Sequence, residues 1–178
     1  MKRFLIGLAA TLLAAGPLTA QAAECLATFQ VETEADHGTL PSGSILQGDI
    51  AYSEGRALRM GNETVSYLST GTIRVVAPDG SSISGVVRAV HMVRTPHFAD
   101  YASFDAKNVD GNLGGISAYE DPLLITLFAP RGSLESFDLP KDTEGWTALS
   151  RRQVFQVHTP DTMWTLPGRV FDFEATCK

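Results

Sequence analysis

Turn chemistry recurs along this chain at short intervals and leaves room for little but strands. PDGS at 78–81, DGNLGG at 110–115, PRGS at 130–133, PKDTEG at 140–145 and LPG at 166–168 are the main clusters. Each offers Pro to set φ, or Gly and Asp to accept positive φ. Between them lie ten β-rich runs, at 26–32, 45–52, 64–68, 71–77, 83–94, 101–105, 123–129, 133–138, 153–158 and 169–176. No segment carries a sustained helical period with caps, apart from a short helix or turn predicted around Asp142 to Ser150.

Alternation within the runs shows how they are covered. Ile73, Val75 and Ala77 share one face, with Thr72 and Arg74 opposite. Phe171, Phe173 and Ala175 are expected on one side of the last run, and Asp172, Glu174 and Thr176 on the other. Leu123 to Ala129 is apolar on both faces and reads as a fully covered central strand. Many short strands with Gly/Pro turns predict an all-β domain: a single antiparallel β-sandwich of about nine or ten strands, with a jelly roll or a barrel as alternatives.

The first 22 residues read as a signal peptide. Lys2 and Arg3 precede an uncharged apolar run from Phe4 to Ala15, Gly16-Pro17 breaks it, and Ala20-Gln21-Ala22 fits a signal-peptidase site. The run is shorter than the roughly 20 residues a membrane span needs. The expected domain is then 23–178, exported to the periplasm or beyond, with no later segment that inserts in a membrane.

Export gives the two cysteines their meaning, because thiols pair in an oxidising compartment. Cys25 opens the first strand candidate after the leader and Cys177 closes the last. If those strands lie antiparallel and adjacent, the start of one meets the finish of the other. A disulfide between Cys25 and Cys177 is expected, with a mechanical role. No C-x-x-C pattern marks it as a redox centre.

Charge narrows the list of partners. Residues 23–178 carry 12 Lys and Arg against 20 Asp and Glu, a net of about −8. Nucleic acid needs clustered positive charge, so it is not an expected partner.

The succession "GSILQGDIAYS", "DYASFD", "LLITLF", "SLESFDLP" and "QVFQV" resembles that of secreted bacterial β-domains found in exosortase-sorted (PEP-CTERM) proteins. The sorting tail of that family is not in this sequence. The resemblance implies an extracytoplasmic β-sandwich and brings no activity or site residues with it.

Several groups are candidates for chemistry. His91 and His97 in "HMVRTPHFAD" are candidate zinc ligands, although zinc needs three or four converging donors. Asp105, Asn108, Asp110 and Asn112 surround Gly111 and supply oxygen donors of the type calcium takes, on a segment that also reads as a solvated hairpin loop. Trp146 and Trp164 sit beside turns, where an exposed indole stacks on a sugar or a partner, and where a core-capping tryptophan also belongs. Ser150, His158 and Asp161 are a set a hydrolase could assemble, and "DGSSISG" at 79–85 misses the nucleophile-elbow spacing. The pairs Glu120-Asp121 and Glu135/Asp138 read as solubilising charge. Without a catalytic motif, cofactor loop or basic patch, the expected function is a non-catalytic binding or structural module for a protein or glycan. An extracytoplasmic hydrolase and a calcium- or carbohydrate-binding domain are the alternatives, and no cofactor other than calcium is expected.

Overall fold

A computed structural model describes residues 24–160 and 162–178, with the side chains of 162–165 left aside. The leader at 1–22 lies outside the described residues. The described residues form nine strands and one short helix: β1 (Glu24–Thr33), β2 (Ile45–Ser53), β3 (Ala57–Met60), β4 (Thr64–Val76), β5 (Ser82–Val93), β6 (Asp100–Asn112), β7 (Glu120–Ala129), α1 (Thr143–Thr147), β8 (Arg152–Thr159) and β9 (Thr162–Cys177).

Strands β4 to β9 pair in sequence order, β9 pairs with β1, β1 with β2, and β2 returns to β4. Eight antiparallel strands therefore close a barrel, and β3 lies outside the ring as an extra strand on β4. The barrel alternative is the one the chain adopts. Closure removes sheet edges, and bulges supply the bending it needs. Register shifts fall at Leu68/Gly71 between β4 and β5, at Ser84/Val86 and Val87/Ala89 between β5 and β6, and at Thr28/Gln30 between β1 and β9. At the closing seam Gly71 is obligatory, because a Cβ there would stand 1.9 Å from the Ala51 carbonyl oxygen.

These bulges redraw several sequence boundaries. Runs 64–68 and 71–77 belong to the single strand β4, interrupted between Leu68 and Gly71. Run 101–105 continues to Asn112, so the expected hairpin loop at 105–112 is strand. Residues 133–138 form irregular loop, not a strand, and β3 was not expected. Asp172 takes a positive φ of 50° and acts as an extra residue; Phe171 is thereby turned outward, where Arg169 reaches its ring, while Phe173 and Ala175 stay inside.

The interior is filled with side chains, as small barrels require. Val31, Leu46, Ile50, Ile73, Val75, Val87, Val90, Phe104, Leu123, Ile125, Leu127 and Phe155 are fully buried. Phe29 fits only because Gly48 stands opposite it; a Cβ on Gly48 would lie 2.2 Å from the ring. The 130–151 crossover closes the end of the barrel near the disulfide. Its helix α1 is capped by Asp142, whose carboxylate accepts from Gly145 N at 2.9 Å, and it pushes Trp146 inward. The indole, 1 % exposed, packs 5.4 Å from Phe104 and 5.6 Å from Phe173, and Tyr52 meets Phe104 edge-on at 5.2 Å. Thr143 Oγ1 bonds both the N–H and the carbonyl of Ala175, and Cys177 N–H donates to Lys141 O. Burial pushes the Tyr52 hydroxyl up to about 12.

Cys25 and Cys177 face one another across the β1–β9 ladder and are joined by a disulfide. The expected bond is present, for the expected reason.

Two loops close the opposite end. Thr39 N–H donates to Gly114 O at 2.7 Å, and Leu40 and Leu113 are buried beneath. His37 is buried here, with Nε2 at 3.1 Å from the Tyr119 hydroxyl, which donates to Ile116 O. Desolvation holds the His37 pKa below its ordinary 6.5. Between that lowered value and 6.5 the unfolded chain binds a proton that the folded chain does not, so stability rises with pH through this window and is lost as pH falls. The His37→Gln variant, which keeps a hydrogen-bonding group for Tyr119, is expected to show a smaller drop in melting temperature between pH 8 and pH 5 than the parent. Parallel slopes for the two proteins would remove His37 as a source of acid sensitivity.

Candidate functional site on the outer barrel face

Strand alternation puts every second residue outside, and the outside of this barrel is divided. Around β1, β2, β9 and the end of β4 nearest β2, outward positions carry Leu26, Thr28, Glu32, Ile45, Gln47, Asp49, Thr72, Arg74, Asp172 and Glu174. Across β3 to β8 apolar and polar side chains share the outward positions. Ladder register arranges them in three rows. One runs Met60, Thr64, Val93, Tyr101, Phe128, Arg152. The next runs Leu58, Ser66, His91, Ser103, Thr126, Val154, and the third Leu68, Ala89, Asp105, Leu124, Gln156.

Met60 and Leu68 are 62 % and 47 % exposed, and the Tyr101 and Phe128 rings pack on each other at 5.6 Å. Five strand spacings by two side-chain repeats make a face of several hundred Å², with Met60, Tyr101 and Phe128 on one side of its middle row and Leu68 and Leu124 on the other.

A polar line crosses this face. Ser66 Oγ lies 2.8 Å from His91 Nδ1, His91 Nε2 lies 3.7 Å from Asp105 Oδ2, and the Ser103 and Thr126 hydroxyls share a bond of 3.0 Å. Ser66 Oγ also approaches Met60 Sδ at 3.3 Å. The Asp105 Oδ1 atom is buried with no hydrogen-bond partner among the described residues.

Serine, histidine and aspartate in sequence suggest acyl transfer, but the surroundings do not serve it. Ser66 sits mid-strand, 4 % exposed, with β3 on one side and β5 on the other. Its neighbouring N–H groups belong to sheet ladders, so no pair of donors is aimed at a developing oxyanion. The cavities lined by Tyr67 and Phe137 and by Tyr52 and Thr70 include neither Ser66 nor His91.

The sequence candidates land as follows. Trp146 is core, so its stacking role is withdrawn: a side chain that plugs the barrel cannot meet a sugar. Trp164 has its side chain outside the described residues. The calcium set fails on geometry. Asp105, Asn108, Asp110 and Asn112 lie along β6, which bulges at Asn108, and Asp105 and Asp110 are separated by roughly 10–15 Å of strand, while a single ion needs its oxygens within about 2.6 Å. Asn112 Oδ1 instead accepts from Gly115 N at 3.0 Å. His97 is exposed in the 94–99 loop, and His91 turns to Ser66 and Asp105. No three His, Cys, Asp or Glu side chains converge among the described residues. Ser150 precedes β8 and His158 lies near its far end, so they do not meet, and Asp161 is outside the described residues. Asp121 accepts from Val109 N at 3.1 Å, and in "DGSSISG" the Asp79 carboxylate accepts from both the N–H and the hydroxyl of Ser81. Glu135 and Asp138 stay exposed beside Arg59 and Arg94, whose guanidinium groups lie 5.3 and 4.3 Å from the Phe137 ring and clasp the crossover to the barrel.

Ser66, Tyr101, Ser103, Thr126 and Phe128 were not among the sequence candidates. A signal for this face was present in Leu123 to Ala129. Leu123, Ile125, Leu127 and Ala129 fill the interior, but Leu124 and Phe128 are half-buried on the outside. The second apolar face marks the patch, where a covering layer was expected.

Fold and face together define a small closed antiparallel barrel with a filled interior and one apolar flank. No family model, curated protein or solved structure matches the chain.

Proposed function

We propose that this chain is an exported, non-catalytic binding module that docks a partner protein on the outer face of β3 to β8. The flank of β3 to β8 carries the reading: it leaves Met60, Leu68 and the Tyr101–Phe128 pair in contact with water on one face, while Leu26, Ile45 and Phe98 are exposed elsewhere. The packed interior and capped ends direct recognition to the outside. Its breadth and flatness suit a protein partner better than a single sugar. The leader pattern and the disulfide support export to the periplasm or beyond, in keeping with the resemblance to exosortase-sorted β-domains. Outward charges such as Glu32, Asp49, Arg74 and Glu174 suit a barrel bathed in water, since a lipid-facing barrel presents an apolar band all round.

The test uses fluorescently labelled chain from residue 23 and envelope fractions of the producing cell. Leu68→Glu and Phe128→Glu should weaken saturable binding at least tenfold while leaving the melting temperature nearly unchanged, and Glu174→Gln should bind as the parent does. Protease treatment of the envelopes should remove the sites; survival would move the reading to a glycan. Equal binding by the Glu variants would sink it. Ester or amide hydrolysis abolished by Ser66→Ala would return the hydrolase reading to first place.

A further inference from the structure

The barrel wall opens between β8 and β9. Their pairing runs from Thr159/Thr162 to Val154/Arg169 and ends there, while β9 continues to Cys177. Farther along, the crossover takes over as the neighbour of β9: Thr143 Oγ1 bonds both backbone groups of Ala175, and Lys141 O accepts from Cys177 N–H. Residues 170–173 lie between these two partners, and beside them is a cleft of about 460 Å³. We propose that this cleft binds a monoanionic sugar, a uronate residue of an acidic glycan. It lies past the end of the β3 to β8 rows, and the proposal does not rest on docking there.

Charge selects the class of ligand. Arg151, Arg152 and Arg169 line the cleft, in a chain whose acidic residues outnumber its basic ones. Arg169 is already paired with Glu32. Arg151 and Arg152 are exposed, and neither side chain has an ion pair or hydrogen bond among the described residues. A guanidinium offers parallel N–H donors that match the two oxygens of a carboxylate. Asp172 is the acidic group in the lining, and it opposes a second negative charge. Three cations against Glu32 and Asp172 leave one net positive charge, which suits a carboxylate and not a phosphate dianion.

The rest of the lining suits a sugar. The bulge at Asp172, with φ at 50°, turns Phe171 outward into the lining. Bulges recur beside binding sites, where they re-aim a side chain. An aromatic ring there offers its face to the C–H side of a sugar ring. Ser150 and Gln153 add a hydroxyl and an amide for the sugar hydroxyls, and the Asp172 carboxylate accepts from another. The volume is that of a small-molecule cleft, enough for a sugar and too small for a folded partner. A peptide carboxylate would use the arginines but not the ring and the hydroxyl-binding groups together.

Trigalacturonate titrated into the purified chain from residue 23 provides the test, read by proton–nitrogen NMR. The Nε–H signals of Arg151 and Arg152 and the indole N–H of Trp146, which lies on the cleft wall, should shift saturably. By calorimetry, Arg151→Gln and Arg152→Gln should each weaken binding at least threefold, the double variant at least tenfold and Phe171→Ala several-fold. Arg74→Gln on β4 should bind as the parent does. Methyl-esterified trigalacturonate, inorganic phosphate and trialanine should each bind at least tenfold more weakly than trigalacturonate. Unmoved signals at millimolar trigalacturonate, or parental affinity in the double variant, would overturn the site. Equal binding of the methyl ester would show that the cleft does not read charge, and tighter binding of phosphate or trialanine would put another ligand in place of the uronate; each of these results ends the proposal. The NMR reading on the parent protein needs no variant to fold.

Discussion

Replacing Cys25 and Cys177 together by serine is expected to lower the melting temperature by about 10–20 °C. The bond spans a separation of 152 residues. Cross-linking so long a loop restricts the unfolded chain by about 5 kcal/mol on the chain-entropy model. The native side supports the same direction. The bond sits in the β1–β9 ladder, beside the Lys178 N–H to Glu24 O and Cys177 N–H to Lys141 O bonds. With the sulfurs unlinked, the ends of β1 and β9 can fray from each other. Calorimetry of the oxidised parent, the reduced parent and the double serine variant checks this. A double variant that melts within 2 °C of the oxidised parent would mean that the barrel closes without help from the bond.

Trp146→Ala carries the second large effect, a loss of about 3–5 kcal/mol. The indole is the largest fully buried side chain among the described residues and touches Phe104 and Phe173, so its removal opens a cavity that strands on several sides cannot all collapse into. Trp146→Phe keeps most of the volume and should cost well under half as much. Urea unfolding with an unchanged slope would place the loss in native packing. A small loss with a reduced slope would instead show that α1 and the crossover detach while the barrel stays folded. Wild-type stability in Trp146→Ala would contradict the barrel-plug role.

Much of the β architecture was legible because it is written locally. Pro, Gly and Asp in turns set backbone angles within four residues, and alternation at Ile73 and Val75 assigns faces within a strand. The cysteine pairing was also readable, since first-strand and last-strand positions meet whenever those strands are antiparallel neighbours. Less was legible where bulges intervene. One extra residue at Asp172 turned Phe171 outward, and pairing of β6 with β5 that resumes beyond a bulge at Asn108 made a supposed ion-binding loop into strand. A bulge changes which side every later residue takes, and its position depends on the partner strand.

The candidate site was less visible still. Leu123 to Ala129 showed two apolar faces, but not whether a second layer or water lay over the outer one. His91 and Asp105 were singled out in sequence with different companions, His97 for one and Asp110 for the other. Their actual meeting, with Ser66 as third member, spans three strands and 39 residues of sequence, from 66 to 105.

By itself, then, the order of residues determined strand content, the turns, the sites of most inward side chains and the covalent link between the ends, because each depends on short-range sterics or on simple antiparallel pairing. Tertiary structure decided that β2 meets β4 to close a barrel, that Trp146 plugs it, and that one flank stays apolar with His91 and Asp105 at its centre. Those outcomes rest on bulge positions and on which strands become neighbours, and both are settled only when the whole ring packs at once.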